Sequence, residues 1–283
     1  MQQAIQYIKN ELTSIYPAFE IQGFTYLLLS HITGYSKVEI IVNKNTIFSD
    51  VQRVMLNSFV NKLKIHTPIQ YIIGKTEFYG LPFLVTDAVL IPRPETEELI
   101  EWVVEPSNKK EGIHILDIGT GSGCIAVTLA NLFTEATVTA FDISDEALKI
   151  ATKNAELNNV KINFQRVDIL NLDNYFTPDF KWDIIVSNPP YIPNSEQAEM
   201  QPNVLEYEPH IALFVPDTDP LIFYRKIMEF ALKYLKTDGQ LFFETHRDWG
   251  HEIVNMLVNN GFYNIQLRKD LSCNDRMIKA QKV

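Results

Sequence analysis

Apolar residues recur at helical spacing through the first 75 residues of the chain. Between Ile5 and Ile15 they follow one another three or four positions apart, and a second series from Phe24 to Ile32 ends at Gly34. Ser49 stands before a third apolar series, where its side-chain oxygen can cap a helix N-terminus. Strand-like alternation is weak throughout. We therefore predict a small helical domain over residues 1–75.

The pattern changes over residues 76–93. Apolar and β-branched residues are separated there by the turn-forming residues Gly80, Pro82 and Asp87, which indicates a hairpin-like connector. A run from Glu95 to Trp102 follows, with acidic residues in its first turn that suit the positive end of a helix dipole. We predict a β-hairpin and then a helix.

After Glu111, short apolar runs alternate with amphipathic segments. The predicted strands span residues 113–118, 138–142, 162–167, 182–186 and 241–244, with a terminal pair at 265–267 and 277–280. The predicted helices run to Phe133, from Ser144 to Leu157, from Leu221 to Leu235 with an end near Gly239, and from His251 to Val258. Such alternation is typical of a mainly parallel, doubly wound α/β sheet, here assigned to residues 94–283.

Charge changes at the same boundary. The 283 residues carry 25 Lys and Arg against 35 Asp and Glu, a net charge of −10. Residues 1–75 hold seven basic and four acidic residues, a sum of +3, which leaves 18 against 31, a sum of −13, for the rest. Proteins that bind nucleic acid through its phosphates usually carry a basic excess, so a nucleic-acid partner is disfavoured.

Composition also bears on metals and compartment. Cys124 and Cys273 are too few for a disulfide framework or a cysteine-based zinc site, and no His-Glu-x-x-His motif occurs, so we predict no metal. The chain has no apolar run of about 18 residues and no signal-peptide pattern at Met1. We expect a cytoplasmic protein with no membrane partner.

A glycine-rich turn follows the first strand of the alternating region. Gly119, Gly121 and Gly123 let the backbone approach a ligand where a Cβ would clash. Cys124 stands where the dinucleotide fingerprint needs its third glycine, and no Gly-Lys-Ser/Thr follows, so a pyrophosphate ligand is disfavoured. The turn better suits an amino-acid-bearing nucleoside. An ordinary tight turn between strand and helix remains the alternative.

Aspartates stand at or near the next strand ends. Asp142 lies 19 residues after Gly123, where a carboxylate can accept hydrogen bonds from ribose hydroxyls. Asp168 can accept from an adenine amino group, or it can simply cap a turn. Asp117, inside the first strand motif, can bond either to the loop or to an ammonium group of the ligand. Together with the glycines, Asp142 favours ligand binding.

Asn188-Pro189-Pro190-Tyr191 is the most specific signal in the chain. Two prolines fix φ and remove both N–H groups, so the Asn188 side-chain oxygen and the Pro189 carbonyl can accept from one planar NH2 group. Tyr191 offers a ring face on which a planar substrate can stack. The alternative, a stiff loop with Tyr191 merely packed, is less favoured because the motif follows a strand at the ligand-binding edge.

These motifs resemble methyltransferases that use S-adenosylmethionine. With Ile91-Pro92-Arg93-Pro94-Glu95-Thr96-Glu97, the helical N-terminal region and Asp275-Arg276, the chain is similar over essentially its whole length to the peptide chain release factor N5-glutamine methyltransferase (HemK/PrmC) family. The resemblance implies a Rossmann-like class I methyltransferase sheet with helices on both faces, plus a small N-terminal helical domain joined by a β-hairpin connector.

The resemblance also implies the site and the substrate. The cofactor, S-adenosyl-L-methionine, would contact Gly119, Thr120, Gly121, Ser122, Gly123, Asp142, Asp168, Ile169 and Asn188. The clamp Asn188, Pro189, Pro190 and Tyr191 would hold the glutamine of the Gly-Gly-Gln motif of class 1 release factors.

Two further interpretations rest on the residues themselves. Residues 1–75 contain no catalytic motif, so we interpret them as a docking surface for a large protein substrate; the alternative is that they only stabilise the catalytic domain. Arg93, between two prolines, either anchors the connector by pairing with a carboxylate, which we favour, or faces the active site.

Some positions depart from the family pattern. Ile169 stands where some relatives place an aromatic residue, Glu244-Thr245-His246 replaces a Glu followed by an apolar residue and glycine, and Cys273 stands where glycine is usual. Three other functions remain open: a glutamine methyltransferase acting on a ribosomal protein, an amino-group methyltransferase acting on nucleic acid, and a nucleoside-binding scaffold protein. No general base is identified.

Overall fold

A computed structural model describes residues 1–105, 112–172 and 181–283 of the chain. The described residues form two compact units. The first, here the N-terminal unit, comprises residues 1–74 and 201–207, and the second, here the sheet unit, comprises residues 75–200 and 208–283. No sequence pattern indicated that residues 201–207 belong with the N-terminal unit.

The N-terminal unit is helical. Its described helices are α1 Gln2–Leu12, α2 Ala18–Thr33, α3 Lys37–Val42, α4 Asp50–Lys64, α5 Ile69–Ile73 and, in the second segment, α9 Pro202–Leu205. The apolar positions that predicted α1, α2 and α4 supply its core, in which Ile8, Leu28 and Val60 are fully buried. Because each helix has one apolar face, the helices bury those faces against one another.

Capping residues determine where two of these helices begin. Ser49 caps α4: its hydroxyl accepts from the Gln52 N–H at 3.3 Å, and the Gln52 side chain accepts from the Ser49 N–H at 3.0 Å. Ser36 and Glu39 form the same capping box at the start of α3, a helix that the sequence analysis did not predict. The Ser-x-x-Glu spacing carried a signal for α3.

The sheet unit begins with the predicted hairpin. β1 Lys75–Phe78 pairs antiparallel with β2 Leu81–Leu84, and α6 Pro94–Val103 follows. Pro94 occupies the first position of α6, where a missing N–H costs no hydrogen bond. The hairpin and the helix are both confirmed.

The central sheet has seven strands among the described residues. They are β3 His114–Ile118, β4 Thr137–Asp142, β5 Asn163–Arg166, β6 Trp182–Ser187, β9 Leu235–Glu244, β10 Phe262–Lys269 and β11 Asp275–Lys282. Their order is β10-β11-β9-β6-β3-β4-β5. Strands β9, β6, β3, β4 and β5 run parallel, and β11 and β10 add an antiparallel edge. A mainly parallel sheet is therefore confirmed.

Helices cover both faces of this sheet, because successive side chains of a strand point to opposite sides. The described helices around this sheet, besides α6, are α7 Cys124–Leu132, α8 Asp145–Leu157, α10 Ile222–Tyr234 and α11 Gly250–Asn259. Ile115 and Ile184 pack in the core that contains α6 and α7 residues, whereas Leu116 and Ile185 pack in the core that contains α10 and α11 residues. None of the described helices is both long and apolar enough to cross a membrane.

The start of β9 differs from the prediction. Helix α10 ends at Tyr234, and β9 begins directly at Leu235 instead of Leu241. The backbone of Asp238 has φ of 60°, and the pairing of β9 with β6 is irregular between Trp182 and Ile184. Gly239 therefore lies inside an irregular strand and does not end the helix. Apolar periodicity alone could not locate a strand interrupted in this way.

Small elements connect β6 to α10, and the sequence analysis did not predict them. They are β7 Ile192–Pro193, a 3-10 helix Asn194–Glu199, a 3-10 helix His210–Ala212 and β8 Phe214–Val215, with β7 and β8 paired in parallel. Elements of two to six residues leave too short a periodic pattern to be read from sequence.

The order in which strands are added to the sheet reverses between β3 and β6, although both strands run in the same direction. These strands are neighbours in register, with Ile118 opposite Ser187, although β4 and β5 come between them in the chain. In an open parallel sheet, the residues that follow two such strands form the crevice in which ligands bind. Gly119 and Asn188 are those residues here.

Cys273 has a backbone conformation that favours glycine. It lies in the turn between β10 and β11 with φ of 65°, and its N–H donates to the Asp270 carbonyl at 2.9 Å. A residue with a Cβ pays about 1–2 kcal/mol in the left-handed region. Glycine adopts this conformation without that cost, which gives a physical reason for the glycine that the family resemblance implies at this position.

Replacing Cys273 with glycine should stabilise the sheet unit. Relief of the left-handed strain outweighs the extra chain entropy of glycine, so we expect the free energy of unfolding to rise by about 1 kcal/mol. Urea denaturation measures the change. Cys273→Ala is the matched control, since it removes the thiol but keeps the Cβ. Equal stability of the glycine and alanine variants would show that the backbone of this residue is unstrained.

Candidate functional site

A cavity of about 210 Å³ lies in the sheet unit at the carboxyl ends of the parallel strands. The predicted residues Gly119 to Ser122, Asp142, Asp168, Ile169 and Asn188 to Pro190 all line it. Its remaining walls are mostly apolar and include Ile118, Ile143, Leu90 and Phe223. An apolar cleft with a few convergent polar groups is the usual form of a small-molecule site.

The glycine turn shapes one wall of the cavity. Gly119 has φ of 77° and Gly123 φ of 82°, and a Cβ built on Gly123 would lie 3.0 Å from the Ala151 Cβ. A Cβ on Gly119 would lie 4.0 Å from the backbone oxygen of Asn188, so this glycine is the point at which the two motifs meet. Both glycines are required by backbone conformation, and Gly123 also by its close approach to α8.

Asp142 holds this turn in place. One carboxylate oxygen accepts from the Gly121 N–H at 2.8 Å, and the other accepts from the Ser144 N–H at 2.9 Å. Burial raises the pKa of Asp142, and these backbone N–H groups oppose that shift. Each oxygen has a second lone pair, so Asp142 can still accept from a ligand hydroxyl. Its hold on the turn was not part of the sequence prediction.

Asp168 and Ile169 lie two and three residues beyond the end of β5. The Asp168 carboxylate accepts from the Leu170 N–H at 2.9 Å and from the Asn171 side-chain amide at 2.8 Å. This is the turn-capping arrangement that was the alternative for Asp168. Ile169 is 9% exposed and supplies an apolar surface to the cavity. A ligand role for either residue stays a prediction.

Asp117 lies behind the turn. It is fully buried, and its carboxylate accepts from the Thr120 hydroxyl at 2.6 Å. Burial raises the pKa of Asp117 to about 7. Of the two roles considered for Asp117, the structure shows the bond to the loop. Cys124, at the start of α7, lines the cavity, and burial raises the pKa of its thiol to about 12, which makes a thiolate nucleophile there unfavourable.

The clamp residues divide into two groups. Asn188, Pro189 and Pro190 line the cavity, whereas Tyr191 does not. The Tyr191 hydroxyl donates to the Glu244 carboxylate at 3.3 Å, and its ring lies 6.0 Å from that of His246, centre to centre. Burial raises the pKa of Tyr191 further above its ordinary value. The stacking role of Tyr191 therefore stays a prediction.

Thr96 and Glu244 were missing from the predicted site. Thr96 is 2% exposed and lines the cavity, and its hydroxyl donates to the Glu244 carboxylate at 2.6 Å. The same Thr96 oxygen accepts from the side-chain amide of Asn188 at 3.3 Å. The position of Glu244 at the end of a strand, on the ligand-binding edge of the sheet, could have indicated a role in the site. Thr96 stands in the Ile91–Glu97 segment that carried the family resemblance, but no role in the site was predicted for it.

Arg93 pairs with a carboxylate, as expected for the anchor. Its guanidinium lies 2.5 Å from Glu208, whose buried carboxylate also accepts from the Ile91 N–H at 3.1 Å. The pair ties the segment before α6 to the segment before β8. Arg93 also lines the cavity, so its anchoring role does not keep it away from the site.

The described residues contain no group of three His, Cys, Asp or Glu side chains placed to hold a metal ion. His246 is 7% exposed, and its ring nitrogen Nε2 lies 3.3 Å from the Glu196 carboxylate. It lies beside Tyr191 and not in the lining of the cavity.

Two family models match the chain. One, described as the PrmC N-terminal domain, matches residues 3–74. The other, described as a methyltransferase domain, matches residues 109–279, which is more than half of the chain. Together they cover both the N-terminal unit and most of the sheet unit.

Curated relatives match over nearly the full length. The release factor glutamine methyltransferase of Flavobacterium psychrophilum is 46% identical over 272 residues, which cover 95% of this chain and 94% of the relative. The protein of the same name from Bacteroides thetaiotaomicron is 40% identical over 282 residues and covers all of both chains. The one from Lactococcus lactis is 36% identical and covers 98% and 99%.

Solved structures share the fold at low identity. A methyltransferase from Pyrococcus furiosus matches with a TM-score of 0.52 at 18% identity, covering 83% of this chain and 99% of that one. A T. thermophilus 16S rRNA methyltransferase, in complex with AdoMet and guanosine, matches with a TM-score of 0.52 at 19% identity, covering 74% and 50%. At this identity the likeness shows a methyltransferase fold and nothing finer.

Proposed function

This chain belongs to the release factor glutamine methyltransferase family, and we propose that it methylates the side-chain amide nitrogen (N5) of the glutamine in the Gly-Gly-Gln motif of class 1 release factors, using S-adenosyl-L-methionine. The observation that carries the proposal is the placement of Asn188 and Pro189, two consecutive residues that each carry a carbonyl oxygen able to accept a hydrogen bond, on the lining of the cavity next to the glycine turn. Near-full-length relatives of that name support the substrate.

The residues of the cavity fit S-adenosylmethionine. Gly119 and Gly121 bring backbone to the cavity lining with no side chain of their own, which leaves room for the amino-acid end of the ligand, whereas Gly123 packs against α8 outside the lining. Asp142 retains lone pairs for ribose hydroxyls, and Ile169 and Ile143 offer apolar contact to a flat base. S-adenosylmethionine bound there would supply a methyl group on a positively charged sulfur. No described group in the lining resembles a pyrophosphate site.

The clamp residues act on the glutamine. An amide nitrogen is a weak nucleophile because its lone pair is delocalised into the carbonyl. The Asn188 side-chain oxygen and the Pro189 carbonyl, by accepting its two N–H bonds, would hold the nitrogen and increase its electron density. Holding reacting atoms about 3–3.5 Å apart can supply several kcal/mol of a barrier. The nitrogen would gain the methyl group as the methyl–sulfur bond breaks and its electron pair stays on sulfur, which becomes neutral, and the nitrogen would then lose one proton to water.

The alternative substrates, a nucleic acid and a ribosomal protein, are less well supported. The sheet unit carries most of the acidic excess of the chain, which disfavours binding of a nucleic-acid substrate by phosphate contacts. A ribosomal protein remains the second candidate substrate, because the same clamp would hold any accessible glutamine. The match of residues 3–74 to the PrmC N-terminal domain favours the release factor. This substrate implies that the chain works in the cytoplasm.

We infer that the N-terminal unit docks the release factor. Large apolar side chains are exposed on α3, on α4 and between them, namely Val38, Ile41, Val42, Ile47, Val51 and Val54. Exposed apolar groups of this size are typical of protein interaction surfaces. Val51 and Val54 are 74% and 70% exposed and lie three residues apart, on one side of α4.

Transfer of radiolabel from S-adenosylmethionine tests the substrate. Release factor should be labelled, and a factor whose Gly-Gly-Gln glutamine is replaced by alanine should not, because the reacting nitrogen is gone. Duplex and single-stranded oligonucleotides serve as rival substrates. Saturable labelling of an oligonucleotide, with none on release factor, would establish the nucleic-acid function instead. Equal labelling of the alanine-substituted factor would place the methyl group on another residue.

Asp142→Ala should weaken binding of S-adenosylmethionine. Loss of a charged hydrogen-bond acceptor costs about 1.5–3 kcal/mol, which is a rise in Kd of about 10- to 150-fold. Isothermal titration calorimetry measures it. Asp145→Ala is the control, since Asp145 lies on α8 outside the cavity lining and pairs with Arg166 at 3.4 Å. A Kd for Asp142→Ala within twofold of wild type would remove Asp142 from the cofactor site.

The double substitution Val51→Ser and Val54→Ser should weaken docking of the release factor without affecting catalysis. We expect KM for intact release factor to rise by about tenfold through lost apolar contact. KM for a short Gly-Gly-Gln peptide should stay unchanged, because the peptide does not reach the docking surface. Steady-state kinetics with both substrates measure this. An equal rise for both, or no rise for the factor, would mean that these valines do not dock it.

A further inference from the structure

A buried hydroxyl and a buried carboxylate lie directly behind the amide of Asn188. Thr96, the third residue of α6, is 2% exposed, and Glu244, the last residue of β9, is 1% exposed. The Thr96 hydroxyl oxygen lies 2.6 Å from one Glu244 oxygen and 3.3 Å from the Asn188 amide nitrogen. These distances form one chain of hydrogen bonds from the carboxylate to the clamp.

The chemistry of the three groups determines which of them donates and which accepts in each hydrogen bond. An ionised carboxylate only accepts hydrogen bonds, so the single proton of the Thr96 hydroxyl is directed at Glu244. The Thr96 oxygen is then left as an acceptor, which the NH2 group of Asn188 satisfies. The side-chain carbonyl oxygen of Asn188 therefore points away from Thr96. Without such a partner, the two orientations of an asparagine amide are nearly equal in shape.

Glu244 has a second hydrogen-bond donor and a positive charge near it. Its second oxygen accepts from the Tyr191 hydroxyl at 3.3 Å. Burial raises the pKa of Glu244, while the hydrogen bond from Thr96 and the positive charge of Arg276 act in the opposite direction. Arg276 is itself held by the Asp270 carboxylate at 3.1 Å and by the Thr245 carbonyl at 3.2 Å. A charged and hydrogen-bonded frame thus surrounds the carboxylate.

We propose that Thr96 is a positioning residue which, held by Glu244, fixes the orientation of the Asn188 amide so that its carbonyl oxygen and not its NH2 group meets the substrate. The inference rests on the proposed function, since it assigns the acceptor face of the same clamp. It also accounts for selection of glutamine over glutamate. A carboxylate substrate would bring oxygen against the Asn188 and Pro189 oxygens with no proton between them, whereas an amide brings two N–H donors.

Two substitutions at position 96 separate the hydroxyl from the shape of the side chain. Thr96→Val keeps the shape and removes the hydroxyl, so the Asn188 amide is free to turn. We expect kcat on release factor to fall about five- to tenfold, with KM for the factor and Kd for S-adenosylmethionine within twofold of wild type. Thr96→Ser keeps the hydroxyl and should restore kcat to within about twofold of wild type.

Thr128→Val is the matched control. Thr128 lies on α7, is fully buried, and its hydroxyl has no hydrogen-bond partner within the described residues. Thr128→Val also removes the hydroxyl of a buried threonine and should leave kcat unchanged. Thermal unfolding of all three variants separates a loss of folded protein from a loss of turnover.

A double-mutant cycle shows whether Thr96 acts through Asn188. Asn188→Ala should lower kcat by about 10²–10³-fold, the usual cost of one positioned polar group. In that background Thr96→Val should cost less than twofold, because no amide is left to orient. The same five- to tenfold loss in both backgrounds would overturn the proposal, as would wild-type kcat for Thr96→Val. A wild-type protein that labels no release factor would instead remove the proposed function, and this inference with it.

Discussion

A buried carboxylate at the end of a central strand, that of Glu244, joins three parts of the site. It accepts from Thr96 on α6 and from Tyr191 in the segment after β6, and it lies next to Arg276 in β11. An ionised group taken out of water is costly unless charges and hydrogen bonds surround it. The elements that carry those partners are therefore held to one arrangement, and the orientation of Asn188 depends on it.

The topology of the sheet places a second set of groups beside this one. Because β3 and β6 are neighbours, the glycine turn and the Asn-Pro-Pro segment leave the sheet at the same edge. Asp142, at the end of the next strand, holds the turn by accepting a hydrogen bond from the Gly121 N–H. One wall of the cavity thus contains glycines with positive φ angles, and another contains prolines, whose φ angles are fixed. We propose that the first wall receives the methyl donor and the second the amide to be methylated.

Local signals were sufficient for much of the fold. Strand runs, the cap at Ser49, the end of α2 at Gly34 and the turn at Gly119–Gly123 each depend on residues close together in sequence. What the sequence did not predict joins distant positions: the contact of Thr96 with Glu244, and the identity of Glu208 as the carboxylate that pairs with Arg93. Such pairs are decided by tertiary packing, for which a single sequence holds no periodic signal. The early start of β9 is of the same kind, since pairing with β6 extends it.

A high-resolution crystal structure of the chain with S-adenosylhomocysteine and a Gly-Gly-Gln peptide would test the clamp directly. We expect the glutamine amide nitrogen to lie within about 2.7–3.2 Å of both the Asn188 side-chain oxygen and the Pro189 carbonyl, with the Asn188 NH2 group donating to Thr96. A glutamine bound away from these oxygens, or an Asn188 amide whose NH2 group points at the glutamine, would show that the clamp does not hold the substrate in this way.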